Sequence, residues 1–195
     1  MLEVLEVPGA SRQAFRHMGV FDGAELTVTY TVDPGEHEAR IDANVGAFAN
    51  EFLLAALLTL PTDCIGPVDP RFERVLRNPT SSAAATVISD PDGGLWARRR
   101  IGAVVDVLGI EISSATLQRG CSVAHRLAGY GPRTVHSSRA ANALALTEAS
   151  HYGIGFIDAD GRRLLAPATF VAERWSSARW RFAELVYGRH RDLLG

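Results

Sequence analysis

Asp106 and Glu111 interrupt the apolar, β-branched run VVDVLGIEIS (104–113). An unpaired carboxylate buried in such a run is costly, so each acid needs water, a cation or a shared proton. Two acids on one sheet face repel unless something compensates them. A divalent ion does so well: Mg²⁺ commonly sits on one or two carboxylates, with waters and phosphate oxygens completing its shell. The turn decides whether the acids share a face. Asp at i and Gly at i+3 make D-V-L-G a type I turn between strands 95–106 and 109–113. An even loop puts Asp106 on the face of Glu111 and Ser113. A three-residue loop with Gly109 left-handed sends the two acids to opposite faces. Without a metal, Asp106 caps the turn and Glu111 faces solvent or an arginine such as Arg98 or Arg100.

The surrounding elements set the context. Strands are expected at 2–7, 25–32 and 38–45, with a helix over 10–18 and a turn at 33–38. The run 46–60 has helical spacing, with Asn44 as its cap and Glu51 as its lone acid. The proline-rich stretch 61–82 reads as irregular connection around a short helix at 71–77. A strand at 83–90, the turn PDGG and the pair 95–106 and 109–113 follow. Then helix 115–131, strand 133–138, helix 139–153 and strand 153–161 alternate. An amphipathic helix starts at Thr169, with Val171, Trp175, Ala178, Phe182 and Leu185 as its apolar stripe and Trp180 towards solvent. Antiparallel strands before helix-linked ones imply an α/β fold with a mixed β-sheet flanked by helices. Residues 1–45 read as a small α/β, β-rich extension and 46–195 as the main domain.

The order α-β-β-β-α-β from residue 46, with RRRIGAVVDVLGIEIS at its centre, resembles the PD-(D/E)XK nuclease-like superfamily. The resemblance covers about residues 46–167 and implies a restriction-endonuclease-like core. It implies an acid on the first helix, an Asp early in the second strand, E-x-K in the third and a Gln-bearing helix after it. Glu51 takes the first position and Glu111 the E-x-K glutamate. Gln118 marks the following helix. Two slots depart from the pattern: Ser113 stands where the lysine belongs, and Gly102 where the early Asp belongs, with Asp106 four residues later. The implied site is therefore Glu51, Asp106, Glu111, Ser113 and Gln118, with Asp106 and Glu111 holding Mg²⁺.

The departures weigh against hydrolysis. In metal-assisted cleavage, carboxylates hold an ion that polarises the phosphate and activates water, and the lysine helps place that water. This chain contains no lysine, its 20 basic residues all being arginine. Arg119 can supply charge but is a poor base. The resemblance thus implies a divergent, degenerate member with weakened or lost catalysis. It would contact DNA or a DNA-processing protein, with Arg98, Arg100 and Arg119 as phosphate contacts. The alternative is a non-catalytic protein-binding or assembly module, in which a homo-oligomer stays open.

Composition narrows the classes further. A net charge of −2 supplies no global attraction to nucleic acid. No apolar run approaches a membrane span, and the start MLEVLEVPGASRQ has no secretory pattern, so the expectation is a cytoplasmic protein. Cys64 and Cys121 form no zinc pattern. Ser122, His125, His136, Ser137 and His151 are present, but no G-x-S-x-G elbow accompanies them.

Overall fold

Leu26, Val28 and Tyr30 are fully buried and alternate with half-buried Thr27 and Thr29, the period of a strand with one covered face. The computed structural model describes residues 2–5, 13–171 and 175–194. Its strands are β1 (Leu2–Leu5), β2 (Ala14–Phe21), β3 (Ala24–Val32), β4 (Gly66–Pro67), β5 (Ala85–Ser89), β6 (Leu95–Arg99), β7 (Val105–Ser114), β8 (Arg133–Ser137), β9 (Gly155–Ile157) and β10 (Arg163–Leu165). Its helices are α1 (Pro34–Asp42), α2 (Glu51–Thr59), α3 (Glu73–Leu76), α4 (Leu117–Arg126), α5 (Ala143–His151) and α6 (Ser177–Leu194). Among the described residues no helix is long and apolar enough to cross a membrane.

The chain divides into two compact units. One takes the described residues up to Val32, 105–171 and 193–194; the other takes 33–104 and 175–192. This division differs from one placed at residue 45.

The first unit is a mixed seven-stranded sheet in the order β1-β2-β3-β7-β8-β9-β10, and the protein is α/β with helices flanking that sheet. β1, β2, β3 and β7 are mutually antiparallel, β7, β8 and β9 are parallel, and β10 returns antiparallel. The parallel pairs need crossovers, which α4 and α5 provide. α4 packs on β7 and β8 and against α5, which packs on β9. Val105, Val107, Ile110, Ile112, Val135 and Phe156 are the buried side chains of the strands they cross.

The second unit is built on the small antiparallel sheet β4-β6-β5. Leu53, Leu54 and Leu57 of α2, Phe72, Leu76, Leu95, Ala97 and Trp180 form its core. Fully burying each large side chain contributes roughly 1.5–3 kcal/mol. Arg40 and Glu184, both buried, fasten α1 to α6: guanidinium nitrogens Nη1 and Nη2 donate to the two carboxylate oxygens at 2.8 Å each. Trp180 Nε1 and the Phe48 amide donate to the same carboxylate at 3.0 and 2.9 Å. Arg40 also donates to Glu36 and the Gly102 carbonyl.

Several expectations are corrected. Residues 14–18 lie in a strand, not a helix: Asp22 and Gly23, with φ of 51° and 78°, make the two-residue hairpin that pairs β2 with β3. Residues 10–12 of that expected helix lie outside the described residues. The run 38–45 is not a strand, because Asp33 caps a helix by accepting the Glu36 amide and Pro34 occupies its first turn. Asn50, not Asn44, caps α2. The expected hairpin between 95–106 and 109–113 is absent. β6 ends at Arg99 in the small sheet, and β7 runs unbroken through D-V-L-G. At the C-terminal end Val171 and Trp175 are exposed, whereas Trp180 is 1% exposed. The buried side of α6 is Trp180, Phe182, Ala183, Val186, Tyr187 and His190.

Candidate functional site

β7 keeps both acids on one face by a bulge instead of a turn. Thr29 lies opposite Gly109 and Tyr30 opposite Val107, so Leu108 is the extra residue. That insertion restores parity across an odd spacing: Asp106 pairs with Thr31 and Glu111 with Thr27, on the face that also carries Ser113. The structure nonetheless does not bring the two carboxylates together. Four residues of β3 separate their partners, about 13 Å along the strand, and carboxylates sharing one ion sit about 2.0–2.6 Å from it. Glu25, two residues along β3 from Thr27, is a closer acid on the same face, at roughly 7–8 Å by register.

Glu111 is instead the centre of a charge cluster. Arg16 Nη2 donates to Glu111 Oε2 at 2.7 Å, and Arg16 Nη1 lies 3.5 Å from Glu3 Oε2. Arg16 stands on β2, opposite Thr29, which is itself opposite Gly109. Its side chain therefore spans β3, about 10 Å from strand to strand. The short Thr29 and the bare Gly109, whose Cβ position meets nothing within 4 Å, leave that path clear. The bond to Glu111 pushes the Arg16 guanidinium further above its ordinary pKa.

From the other side, His136 Nε2 of β8 lies 3.1 Å from the same Glu111 oxygen. The approach is too bent for a hydrogen bond, and the buried Nε2 finds no other partner among the described residues. Ser113 sits beside His136 in the parallel register. The cluster thus runs Glu3, Arg16, Glu111, His136 across the sheet, each half-buried or exposed.

The other expected site residues lie elsewhere. Glu51 belongs to the second unit, where it opens α2 and accepts from the Ser177 hydroxyl at 3.3 Å. Gln118, exposed in the first turn of α4, lines a cavity of about 220 Å³ with Thr116, Asn142 and Glu148. Arg119 is exposed on the same turn. Arg98 and Arg100 are exposed at the end of β6 in the second unit, Arg100 donating to the Ser82 carbonyl at 3.4 Å.

The donors on the β7 face do not fit a resident divalent ion. The Glu111 oxygen that would bind it already accepts from a guanidinium. Asp106 is out of range, and no three His, Cys, Asp or Glu side chains among the described residues are grouped to hold a metal. Arg16 lies within 10–18, where the spacing suggests a helix; the Asp22-Gly23 turn after it is the signal that places it on a strand. His136 stood out only as one member of a hydrolase set that lacks its elbow. No family model, no curated protein and no solved structure matches this chain.

Proposed function

We propose that the chain is a divergent nuclease-like protein, of the PD-(D/E)XK kind, that contacts nucleic acid without cutting it. The arrangement of β2, β3, β7, α4 and β8 supports this reading: three antiparallel strands, a helix and a parallel fourth strand. In that arrangement Glu111 stands on the third strand with Ser113 two residues on. The β-β-β-α-β part of the order has β2 and β3 in place of the strands at 83–106, with residues 33–104 inserted between β3 and β7 and no helix before β2 among the described residues.

The observation that carries the loss of catalysis is Arg16 on Glu111 at 2.7 Å. A permanent cation there neutralises the carboxylate that would hold an ion, and no lysine is present to help activate water. What remains is recognition. Arginine side chains supply phosphate contacts, and the exposed Arg98, Arg100 and Arg119 are the ones assigned to them.

The test is incubation of the whole chain with single- and double-stranded DNA, with and without Mg²⁺ or Mn²⁺. Binding that weakens steeply with salt, without strand scission, is the expected result. Scission abolished by Glu111→Ala would overturn the loss of catalysis. Absence of any binding would overturn the nucleic-acid reading in favour of a protein-binding or assembly module.

A further inference from the structure

β5 ends the small sheet β4-β6-β5, and no strand among the described residues pairs with its outer side. The ladder to β6 decides which of its backbone groups face outward. The Arg100 amide donates to the Ala84 carbonyl at 2.9 Å and the Asp90 amide to the Gly94 carbonyl at 2.8 Å, and the register between them is regular. Hydrogen-bonded pairs alternate along an antiparallel ladder, so Thr86 and Ile88 also bond to β6. Ala85, Val87 and Ser89 then turn their amides and carbonyls to the free edge.

An open edge is a template for another strand, and proteins blunt such edges with proline, charge, bulges or shortness. The other edge strands carry these devices. β4 has two residues, one of them Pro67. β10 has three, with Arg163 and a shifted register. β1 has four, with Glu3 paired to Arg16. β5, A-T-V-I-S, has no charge, no proline and no bulge. One of its faces adds apolar surface: Ile88 is 49% exposed and lies opposite Trp96, which is 39% exposed. The other face, that of Val87 and Ser89, opens on a cavity of about 440 Å³, which leaves room there for an opposing side chain.

The occupant these features match is the same strand of a second copy. With a two-fold axis at Val87, antiparallel pairing sets Val87 opposite Val87 and Ala85 opposite Ser89. Each outward amide and carbonyl then meets its complement without a bulge, and no like charges face one another. On the other face Ile88 falls opposite Thr86 of the second copy and diagonal to its Ile88, so the two Ile88–Trp96 pairs form one apolar strip. At each end Asp90 falls opposite Ala84 of the second copy, beside which stands Arg100 of that copy. Ala84 is too short to block the path, and the reach is the one by which Arg16 spans β3 to Glu111. Within one chain Arg100 has only a long bond, 3.4 Å to the Ser82 carbonyl, so its charge is open to that carboxylate.

We infer that two copies of this chain pair through β5, joining their small sheets into one sheet across a two-fold axis. Such an interface is isologous: the same patch serves both sides, and the contact closes at a dimer. The inference does not depend on the nucleic-acid reading. Its consequence for that reading is that the Arg98 side chains of both copies lie on one face of the joined sheet, since Arg98 shares the face of Thr86.

The test is sedimentation velocity of the whole chain over about 1–200 μM, where a monomer–dimer equilibrium is expected. Ile88→Lys, at an exposed position, puts like charges diagonally across the axis and should raise the dissociation constant about tenfold or more. Val87→Pro removes the central outward donor while sparing the ladder to β6 and should act in the same direction. Val4→Lys, on the β1 edge, should leave the equilibrium unchanged. Circular dichroism confirms that each variant is folded. A chain that stays monomeric over the whole range would overturn the inference. So would a dimer that Ile88→Lys leaves intact, or one that Val4→Lys dissociates.

Discussion

Arg16 and Glu111 are joined at 2.7 Å although a whole strand, β3, separates the strands that carry them. This contact answers what a carboxylate does in the run VVDVLGIEIS: it is neutralised by a cation that belongs to the protein. Both side chains are about a third exposed, 38% and 30%, so water screens the pair and its worth is about 1 kcal/mol or less. Arg16→Ala should therefore cost little stability, with a coupling to Glu111→Ala of that same size in a double-mutant cycle read by urea unfolding.

The pair Arg40 and Glu184 behaves differently because it is dry. Both side chains are 1% exposed. Burial pulls the Arg40 guanidinium down, and its bonds to Glu184 and Glu36 more than offset that, leaving it above its ordinary pKa. Removing one partner leaves the other charged and buried, a loss of about 3–5 kcal/mol. Glu184→Ala should show that loss in urea unfolding. Arg40→Lys should cost less than that, though still measurably, since an ammonium keeps the charge but cannot make the two parallel bonds that the guanidinium fork makes.

The helix-linked half of the sheet was legible in the sequence because each element there carries its own period. Expected helix 115–131 contains α4, strand 133–138 contains β8, and helix 139–153 contains α5. The other half was not, for local reasons. Asp22-Gly23 defines β2 more strongly than the weak helical spacing of 10–18 argues against it. Asp33-Pro34 is a helix start that also fits a turn, and the Asp33 bond to the Glu36 amide at 3.0 Å decides between them. D-V-L-G suits a turn, yet β3 offers a partner to β7 on both sides of Leu108, so the chain continues with a bulge. No local pattern reports a partner that distant. The site shared this fate: Glu111 was singled out by its surroundings, whereas Arg16 is ninety-five residues away and is related to it only by the sheet.

Gly120 looks like a flaw in the middle of α4, where alanine would favour the helix by about 1 kcal/mol. Its position says otherwise. A Cβ there would stand 2.3 Å from Val135 Cγ1 and 3.0 Å from Cγ2, so the helix can lie close on β8 only without a side chain. Gly120→Ala should lower the unfolding temperature, with overpacking of about 1–3 kcal/mol outweighing the gain in propensity. Adding Val135→Ala should cost less in that background than it does alone, because the second change relieves the first.

His190 makes the second unit sensitive to acid. It is buried on α6, its ring centroid 6.0 Å from that of His37, whose Nδ1 lies 3.1 Å from the Tyr187 hydroxyl. Burial, and then the charge of His37, hold the His190 imidazole below its ordinary value. The unfolded chain binds this proton near pH 6.5, while the folded chain takes it up only at lower pH. Stability from this group is therefore complete above about pH 6.5 and declines as pH falls from there towards the folded value. The unfolding temperature should drop between about pH 7.5 and 5.5, a window that spans the unfolded pKa. In His190→Gln, which cannot take up a proton, the drop should be shallower. An unchanged slope in that variant would mean that protonation of His190 does not oppose folding.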